Sequence, residues 1–375
     1  MVCRLGGFHL LMSFLGSIGN LMRGSGIEQL FEEVYGANSI DQIMSGKFIV
    51  RALRAHFMAE SALKTLLIEK AKEKFGFDSH DLEDFYQKAL ARELDEDSVT
   101  DMVESDAYKQ LCSSLQQLQS SLKSDSRTAK LWLLYLDSIQ LVKLFIFAER
   151  TSNWPLHLHV TSKMLNLFAA TGHGNYAKSA RLYLQEISQL QHKYPWIYKN
   201  FMKGYHTVAR SSHSWTTVWS DQGIEQTLMR MSKSPGGLFT HGRGVIESVR
   251  YLWVQSLSSL AYISSALMEF TETVNGEKYH TELGHSRRHT DFSDCMKFYD
   301  WLKVRNPFEV RSDNLFSLSS GVASIKGRDV VNCENAEEVG AAIHATFDNV
   351  EYNKCCLKRK EVITPLSSLQ CKMPV

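Results

Sequence analysis

Apolar residues recur at helical spacing along most of this chain. Residues 47–75 show the pattern most clearly, with lysine and glutamate between the apolar positions. Those positions are Ile49, Leu53, Phe57, Leu63, Leu66 and Leu67. They predict an amphipathic helix that Gly76 ends. Residues 7–23 predict a buried helix with a glycine-rich exit at 23–26, and we expect a compact irregular stretch from there to residue 46.

The helical pattern continues beyond residue 79. Ser79 is a suitable N-cap, and further helices are predicted at residues 111–122, 128–150, 154–170 and 175–192. The acidic run at 95–104 is expected to form a solvated turn or the start of a helix. Residues 47–204 therefore predict a helical bundle.

The pattern changes after residue 204. Residues 206–219 mix threonine, valine and tryptophan, which is typical of one or two short strands. Helices are predicted again at 246–272, 286–304 and 335–347. The predicted fold class is mainly α, a helical bundle with a few short strands. We expect four segments: a helix and irregular stretch at 1–46, the bundle at 47–204, short strands and long helices at 205–309, and a tail with one helix and a basic end at 310–375.

Composition narrows the class of protein without indicating a function. The 375 residues suffice for two domains, and 44% hydrophobic with 22% charged residues is typical of a globular chain. The net charge of +1 argues against a uniformly basic nucleic-acid-binding surface. Seven cysteines without a CxxC motif favour free thiols in a reducing compartment, so we expect a nuclear or cytoplasmic protein.

Neither a membrane span nor a secretion signal is predicted. The apolar start lacks a small-residue cleavage site, and the most apolar later segment, residues 131–148, contains Asp137 and Lys143. A buried helix is the better interpretation of that segment. Residues 2–5 lead directly into the first apolar run, as the end of a β-strand does when a helix follows it. We therefore also expect the chain to be an N-terminally truncated piece of a longer protein.

Residues 219–250 combine carboxylates with glycine-rich backbone and form the strongest candidate site. Its acids are Asp221, Glu225 and Glu247, and the first two share one face of a helix because they are four residues apart. Grouped carboxylates can hold the divalent metal that activates water or a 3′ hydroxyl. The alternative is structural, with Asp221 as an N-cap and Glu225 as an ordinary helix carboxylate. These three acids are the candidate catalytic residues.

The glycines of the same segment suggest anion binding. Gly236, Gly237, Gly242 and Gly244 surround Arg243 and can cradle a phosphate at the N-terminus of the next helix. No P-loop order is present, and a plain loop with a capping glycine is the simpler interpretation.

Histidines and basic residues complete the candidate chemistry. His280, His285 and His289 do not match a standard zinc spacing, so no metal site and no cofactor are predicted from the residues. Basic side chains in the second half of the chain are candidates for contacts with nucleic-acid phosphates. The candidate nucleic-acid-binding residues are Arg243, Arg250, Arg287, Arg288, Lys354, Lys358, Arg359 and Lys360.

Three stretches resemble a known group of proteins. They are LGGFHLLMSFLGSIG at 5–19, SDQGIEQTLMR with the following GG and GRG at 220–244, and VNCENAEEVGAAI through KRKEVITPLSSL at 331–369. They are similar to a large, repetitive, uncharacterised family of proteins in invertebrate genomes that descends from mobile elements. The resemblance spans nearly the whole chain and implies membership rather than an activity.

The resemblance also carries an analogy with transposases. Some members of the family read Leu-Gly-Asp-Phe-His where this chain has Gly7, and an aspartate between a strand and a helix is similar to the second acid of ribonuclease-H-like transposases. This implies the remnant of a ribonuclease-H-like α/β core with a large helical insertion, Mg²⁺ or Mn²⁺ as cofactor, and Glu225 as the final acid. Because Gly7 cannot ligate metal, we expect a degenerate transposase-like fragment without strand-transfer activity.

Two other functions stay open. A non-catalytic helical interaction module with protein partners fits the near-zero net charge and the incomplete acid set. Residual nucleic-acid binding, with DNA as the partner, fits the basic residues named above. Neither function requires an enzyme.

Overall fold

The computed structural model describes residues 4–76, 80–91, 93–209, 215–224, 285–310, 314–322 and 333–348, with isolated positions between 248 and 270. The helix predicted at 246–272 lies mostly outside the described residues. So do the glycines at 236–244 and the basic end of the tail.

Helices dominate the described part of the chain, as the apolar periodicity predicts. The first seven are α1 Gly7–Met22, α2 Ile27–Glu32, α3 Ala37–Met44, α4 Ile49–Phe75, α5 His80–Ala91, α6 Glu96–Glu104 and α7 Asp106–Asp125. The next six are α8 Arg127–Arg150, α9 Trp154–Ala170, α10 Gly174–Ser188, α11 Leu190–Lys193, α12 Pro195–Met202 and α13 Ser220–Ile224. After these come α14 His285–Val304, a 3₁₀ turn at Cys333–Asn335 and α15 Ala336–Asp348. The mainly α fold is confirmed.

Local sequence signals explain where several helices begin and end. Gly76 ends α4 in the left-handed conformation with φ 65°, which glycine adopts without a steric penalty. The side chains of Ser105, Ser126 and Asn153 accept hydrogen bonds from backbone amides in the first turns of α7, α8 and α9. Asp95 caps α6 in the same way, so the acidic run forms a helix there.

The stretch between residues 27 and 46, expected to be irregular, instead contains α2 and α3. Each helix buries one apolar face. The buried residues are Ile27, Leu30 and Phe31 in α2, and Ile40, Ile43 and Met44 in α3. These helices have six and eight residues, which are too few for the apolar positions to repeat at a recognisable helical spacing. Similarly, the helix predicted at 175–192 is divided at residue 189 into α10 and α11.

The centre of the bundle is α8, which packs against α1, α4, α7 and α9. It buries the large side chains Trp132, Tyr135 and Phe145. Helix α9 in turn contacts α10 and α15, and α14 lies along α4. One buried cluster draws side chains from all four predicted segments, including Leu10 and Ile343 at its two ends in sequence. The division into four segments stays a prediction.

The described residues contain one sheet, a two-stranded antiparallel ladder of β1 Val208–Ala209 and β2 Thr217–Val218. The prediction of one or two short strands in this region is confirmed, and the number is two. Thr217 attaches the ladder to the end of α8 through two hydrogen bonds. The Thr217 hydroxyl donates to the backbone carbonyl of Glu149, and the Thr217 backbone carbonyl accepts from Arg150 Nη1 at 2.7 Å.

One described helix, α8, is long and apolar enough to cross a membrane by length and composition. In its most apolar 18-residue window, 61% is buried inside the protein, as expected for a core helix. Among the described cysteines, Cys112 and Cys295 are free thiols.

Candidate functional site

Asp221 lies at the N-terminus of α1, although more than 200 residues separate the two in sequence. Strand β2 leads into α13 and brings the carboxylate to the first turn of α1. There Asp221 Oδ1 accepts from the Phe8 amide at 3.2 Å and Oδ2 accepts from the His9 amide at 3.0 Å. Because the first four amides of a helix have no partner within it, this carboxylate satisfies two of them and complements the helix dipole. Asp221 is therefore a helix cap, but of a different helix from the one the sequence suggested.

The His9 side chain completes the contacts of that carboxylate. His9 Nδ1 lies 2.8 Å from Asp221 Oδ2, the oxygen that already accepts from the His9 amide. Both carboxylate oxygens are thus engaged by groups of α1.

Two glycines allow this close approach. A Cβ atom at Gly6 would lie 2.5 Å from Asp221 Oδ2, and one at Gly7 would lie 2.5 Å from Glu149 Oε2. Any side chain at either position would have to displace a carboxylate. The first turn of α1 is consequently flanked by two acids, Asp221 from α13 and Glu149 from the last turn of α8.

Glu149 is buried and paired with two basic side chains. Its Oε1 contacts the Arg4 guanidinium and lies 2.7 Å from His157 Nδ1. Burial by itself would raise the pKa of Glu149, but the contact with His157 and the positive charge of Arg4 outweigh it and lower the pKa to about 2. Glu149 is a carboxylate at neutral pH.

The rings around Glu149 are neutral at neutral pH. Burial lowers the pKa of His157, and this effect exceeds the opposing effect of Glu149. Burial, followed by the Arg4 charge, lowers the pKa of His206 to about 4. Tyr183 OH lies 3.0 Å from His157 Nε2 and donates to it when His157 carries its proton on Nδ1. The Arg4–Glu149 cluster, meaning these five side chains, is a buried ion pair enclosed by neutral rings.

Neither Arg4 nor Glu149 is among the site residues that the sequence predicts. The sequence nevertheless indicates an unusual environment for both residues. Glu149 lies in the most apolar predicted helix, and Arg4 directly precedes the apolar run at the start of the chain. Charged residues in such surroundings are almost never fully buried without a partner. What the sequence does not show is that the two residues meet across an interval of 145 positions.

The other predicted site residues are placed as follows. Glu225, Glu247, Arg243, Arg250, Lys354, Lys358, Arg359 and Lys360 lie outside the described residues. Arg287 and Arg288 are exposed in the first turn of α14. The structure therefore shows one of the three candidate acids and brings it together with Glu149.

Arg287 lines an open groove of about 430 Å³ between α14, α4 and the end of α2. The central cation of this groove is Arg54, whose guanidinium binds Asp291 at 2.6 Å and Asp294 at 2.7 Å. Since acids of the same groove neutralise Arg54, the groove is not a strongly basic site. Within the described ranges, no group of three or more His, Cys, Asp or Glu residues is arranged to hold a metal ion.

The capping role of Asp221 is testable by substitution. Asp221→Ala removes the acceptor for two helix amides, so the free energy of unfolding should fall by about 0.5–2 kcal/mol. Asp221→Asn retains an acceptor oxygen, so its free energy of unfolding should fall by less than that of Asp221→Ala. Urea denaturation measures both, with Asp300→Ala on the exposed face of α14 as a control expected within about 0.5 kcal/mol of wild type. Equal stability of all four proteins would contradict the capping role.

Comparison with known proteins adds a family assignment. Searches of curated proteins and of solved structures each found no match. A family profile described as "Domain of unknown function (DUF8702)" matches residues 1–375. The chain, with its mainly helical fold and its capped α1, belongs to the DUF8702 family.

Proposed function

We propose that this protein is a non-catalytic helical protein, the degenerate, transposase-like remnant of a mobile element, which lacks strand-transfer activity. The observation that carries the proposal is the engagement of both acids at the N-terminus of α1. Asp221 binds backbone amides and a histidine, and Glu149 binds a guanidinium and a histidine.

The contacts of these acids oppose metal binding. A divalent ion of the Mg²⁺ class requires several oxygen ligands at once in near-octahedral geometry. To serve as a ligand, Asp221 would have to give up its hydrogen bonds to two first-turn amides of α1, and Glu149 would leave the Arg4 guanidinium without its counter-charge. Both changes are unfavourable, which supports a structural role for the two carboxylates.

Position 7 supports the proposed ancestry. The Cβ of a residue at this position would point at Glu149, and Gly6 beside it approaches Asp221 equally closely. An aspartate here, as in the resembling proteins, would add a third carboxylate beside the first turn of α1. Glycine at position 7 removes that acid, and Arg4 supplies a positive charge next to Glu149 instead.

A cleavage assay tests the proposal. Purified protein is incubated with supercoiled plasmid and labelled duplex ends in 10-fold steps of Mg²⁺ or Mn²⁺, and nicking and joining are followed on gels. We expect no product above that of a Glu225→Gln, Asp221→Asn double variant. Cleavage by the wild type that either substitution abolishes would contradict the proposal.

A further inference from the structure

The chain contains a long interval without acidic residues. No Asp or Glu occurs between Glu186 and Asp221, which is 34 consecutive residues, 187–220. Acids make up 41 of the 375 residues overall, so about four are expected in an interval of this length. The interval has a basic character instead, with Lys193, Lys199 and Lys203 in its described part.

Helix α12, Pro195–Met202, lies in this interval and presents two different faces. Its inner face packs Ile197, Tyr198 and Phe201 against the small buried cluster of α9 and α10. The Phe201 ring centroid, for example, lies 4.8 Å from that of Trp154. The inner face fixes the orientation of the helix on the bundle.

The outer face carries a tryptophan and two lysines. Trp196, Lys199 and the cap residue Lys203 follow one another at intervals of three and four residues, so they form one row along the helix. Trp196 is 66% exposed, which is high for so large an apolar side chain. Within the described part of the chain, no carboxylate pairs with Lys193, Lys199 or Lys203.

Tyr205 is a second exposed aromatic residue just beyond the end of the helix. Its amide donates to the Asn200 carbonyl at 3.1 Å, and Gly204 before it turns the chain with φ 90°. The ring itself is 73% exposed. We call Trp196, Lys199, Lys203 and Tyr205 the α12 surface.

We propose that the α12 surface binds single-stranded nucleic acid. Exposed aromatic rings offer faces on which unpaired bases stack, and lysines without partners attract the phosphates between those bases. The interval contains no acids, so its own side chains do not repel a polyanion. A duplex does not fit as well, because its bases are stacked on one another and expose only their edges to these rings. This inference goes beyond the proposed function and does not rest on it.

Fluorescence anisotropy with a labelled 20-nucleotide single strand of mixed sequence tests the inference on the full chain. Wild-type protein should bind at about 50 mM salt, and Trp196→Ala should weaken binding at least about fivefold. Trp196→Phe retains a ring and should recover most of that loss. The double variant Lys199→Gln, Lys203→Gln should lower the slope of log K against log salt by about 1.4, at about 0.7 per phosphate contact.

A matched control separates this surface from the charge of the whole protein. Lys74→Gln with Lys163→Gln removes two exposed helix lysines elsewhere and changes the net charge equally. Binding unchanged in this control supports the inference. An equal loss in the control, or no saturable binding by the wild type, overturns it. Binding to vesicles of 4:1 phosphatidylcholine and phosphatidylserine through Trp196, without binding to the oligonucleotide, would overturn it in favour of a lipid surface.

Discussion

Replacing Glu149 with glutamine is expected to lower the free energy of unfolding by about 3–5 kcal/mol. The substitution keeps the shape of the side chain but leaves the Arg4 guanidinium, which is only 12% exposed, without its counter-charge. Urea denaturation measures the effect. Glu73→Gln, on the exposed side of α4, is the control and should change stability by less than about 0.5 kcal/mol.

A double variant tests whether the loss arises from the unpaired charge. Arg4→Gln with Glu149→Gln removes both charges and should be more stable than Glu149→Gln alone, because no buried ion remains without a partner. If the losses of the two single variants simply add, the ion pair is not the cause and the account of this cluster is wrong.

The pH dependence provides a second readout of the same substitution. The pKa of Glu149 in the fold, about 2, lies below its ordinary value of 4.5. A carboxyl with a lowered pKa contributes its full stabilisation above pH 4.5 and loses it as the pH falls towards 2. The difference corresponds to about 3 kcal/mol, in agreement with the estimate above. The gap between wild type and Glu149→Gln should therefore narrow across this window.

Buried histidines also contribute to acid unfolding in both proteins. Burial lowers the pKa of His56 to about 3, and burial with the Arg4 charge lowers that of His206 to about 4. Since the unfolded chain binds these protons more readily, stability falls as the pH drops below about 6.5. The His56 contribution should be the same in wild type and Glu149→Gln, and it cancels in their difference. A gap that widens on acidification would contradict the assignment of Glu149 as a stabilising carboxylate.

Replacing Gly19 with alanine should have the second largest effect. A Cβ atom at this position in α1 would overlap the backbone carbonyl of Met44 at the end of α3. Backbone cannot move aside as a side-chain tip can, so the two helices must separate. We expect a loss of about 3 kcal/mol, the upper end of the range for overpacked cores, measured by thermal or urea unfolding.

Gly36→Ala is the matched control for this substitution. Gly36 precedes α3 with φ −65°, and nothing lies within 4 Å of its Cβ position. Alanine there adds no steric strain but is a poorer N-cap than glycine, so stability should change by no more than about 1 kcal/mol in either direction. If Gly19→Ala were as stable as Gly36→Ala, the close contact between α1 and α3 would be wrong.

The parts of the fold that were predictable are those with a strong local signal. Helices α4, α8 and α9 each span several turns with a clear apolar pattern, and Gly76 marks an end through its own backbone preference. Helices α2 and α3 were missed because so few residues contain little periodicity. Their formation depends on burying short apolar faces in the bundle.

The candidate site was only partly predictable for a similar reason. The residue type of Asp221 indicated a cap, which is a local property, but the capped helix lies 213 positions away. Likewise, an acid in the last turn of an apolar helix indicates an unusual environment without identifying Arg4 as its partner. Such pairs are set by how the helices pack, and one sequence alone does not encode this in any local pattern.

Titration with Mn²⁺, followed by the electron paramagnetic resonance signal of the free ion, tests the central claim most directly. The claim is that the carboxylates at the N-terminus of α1 serve structure and do not bind metal. Wild type and Asp221→Asn should give the same titration curve, without a saturable site that depends on this residue. Binding of one ion per chain by the wild type, lost in Asp221→Asn, would contradict the claim.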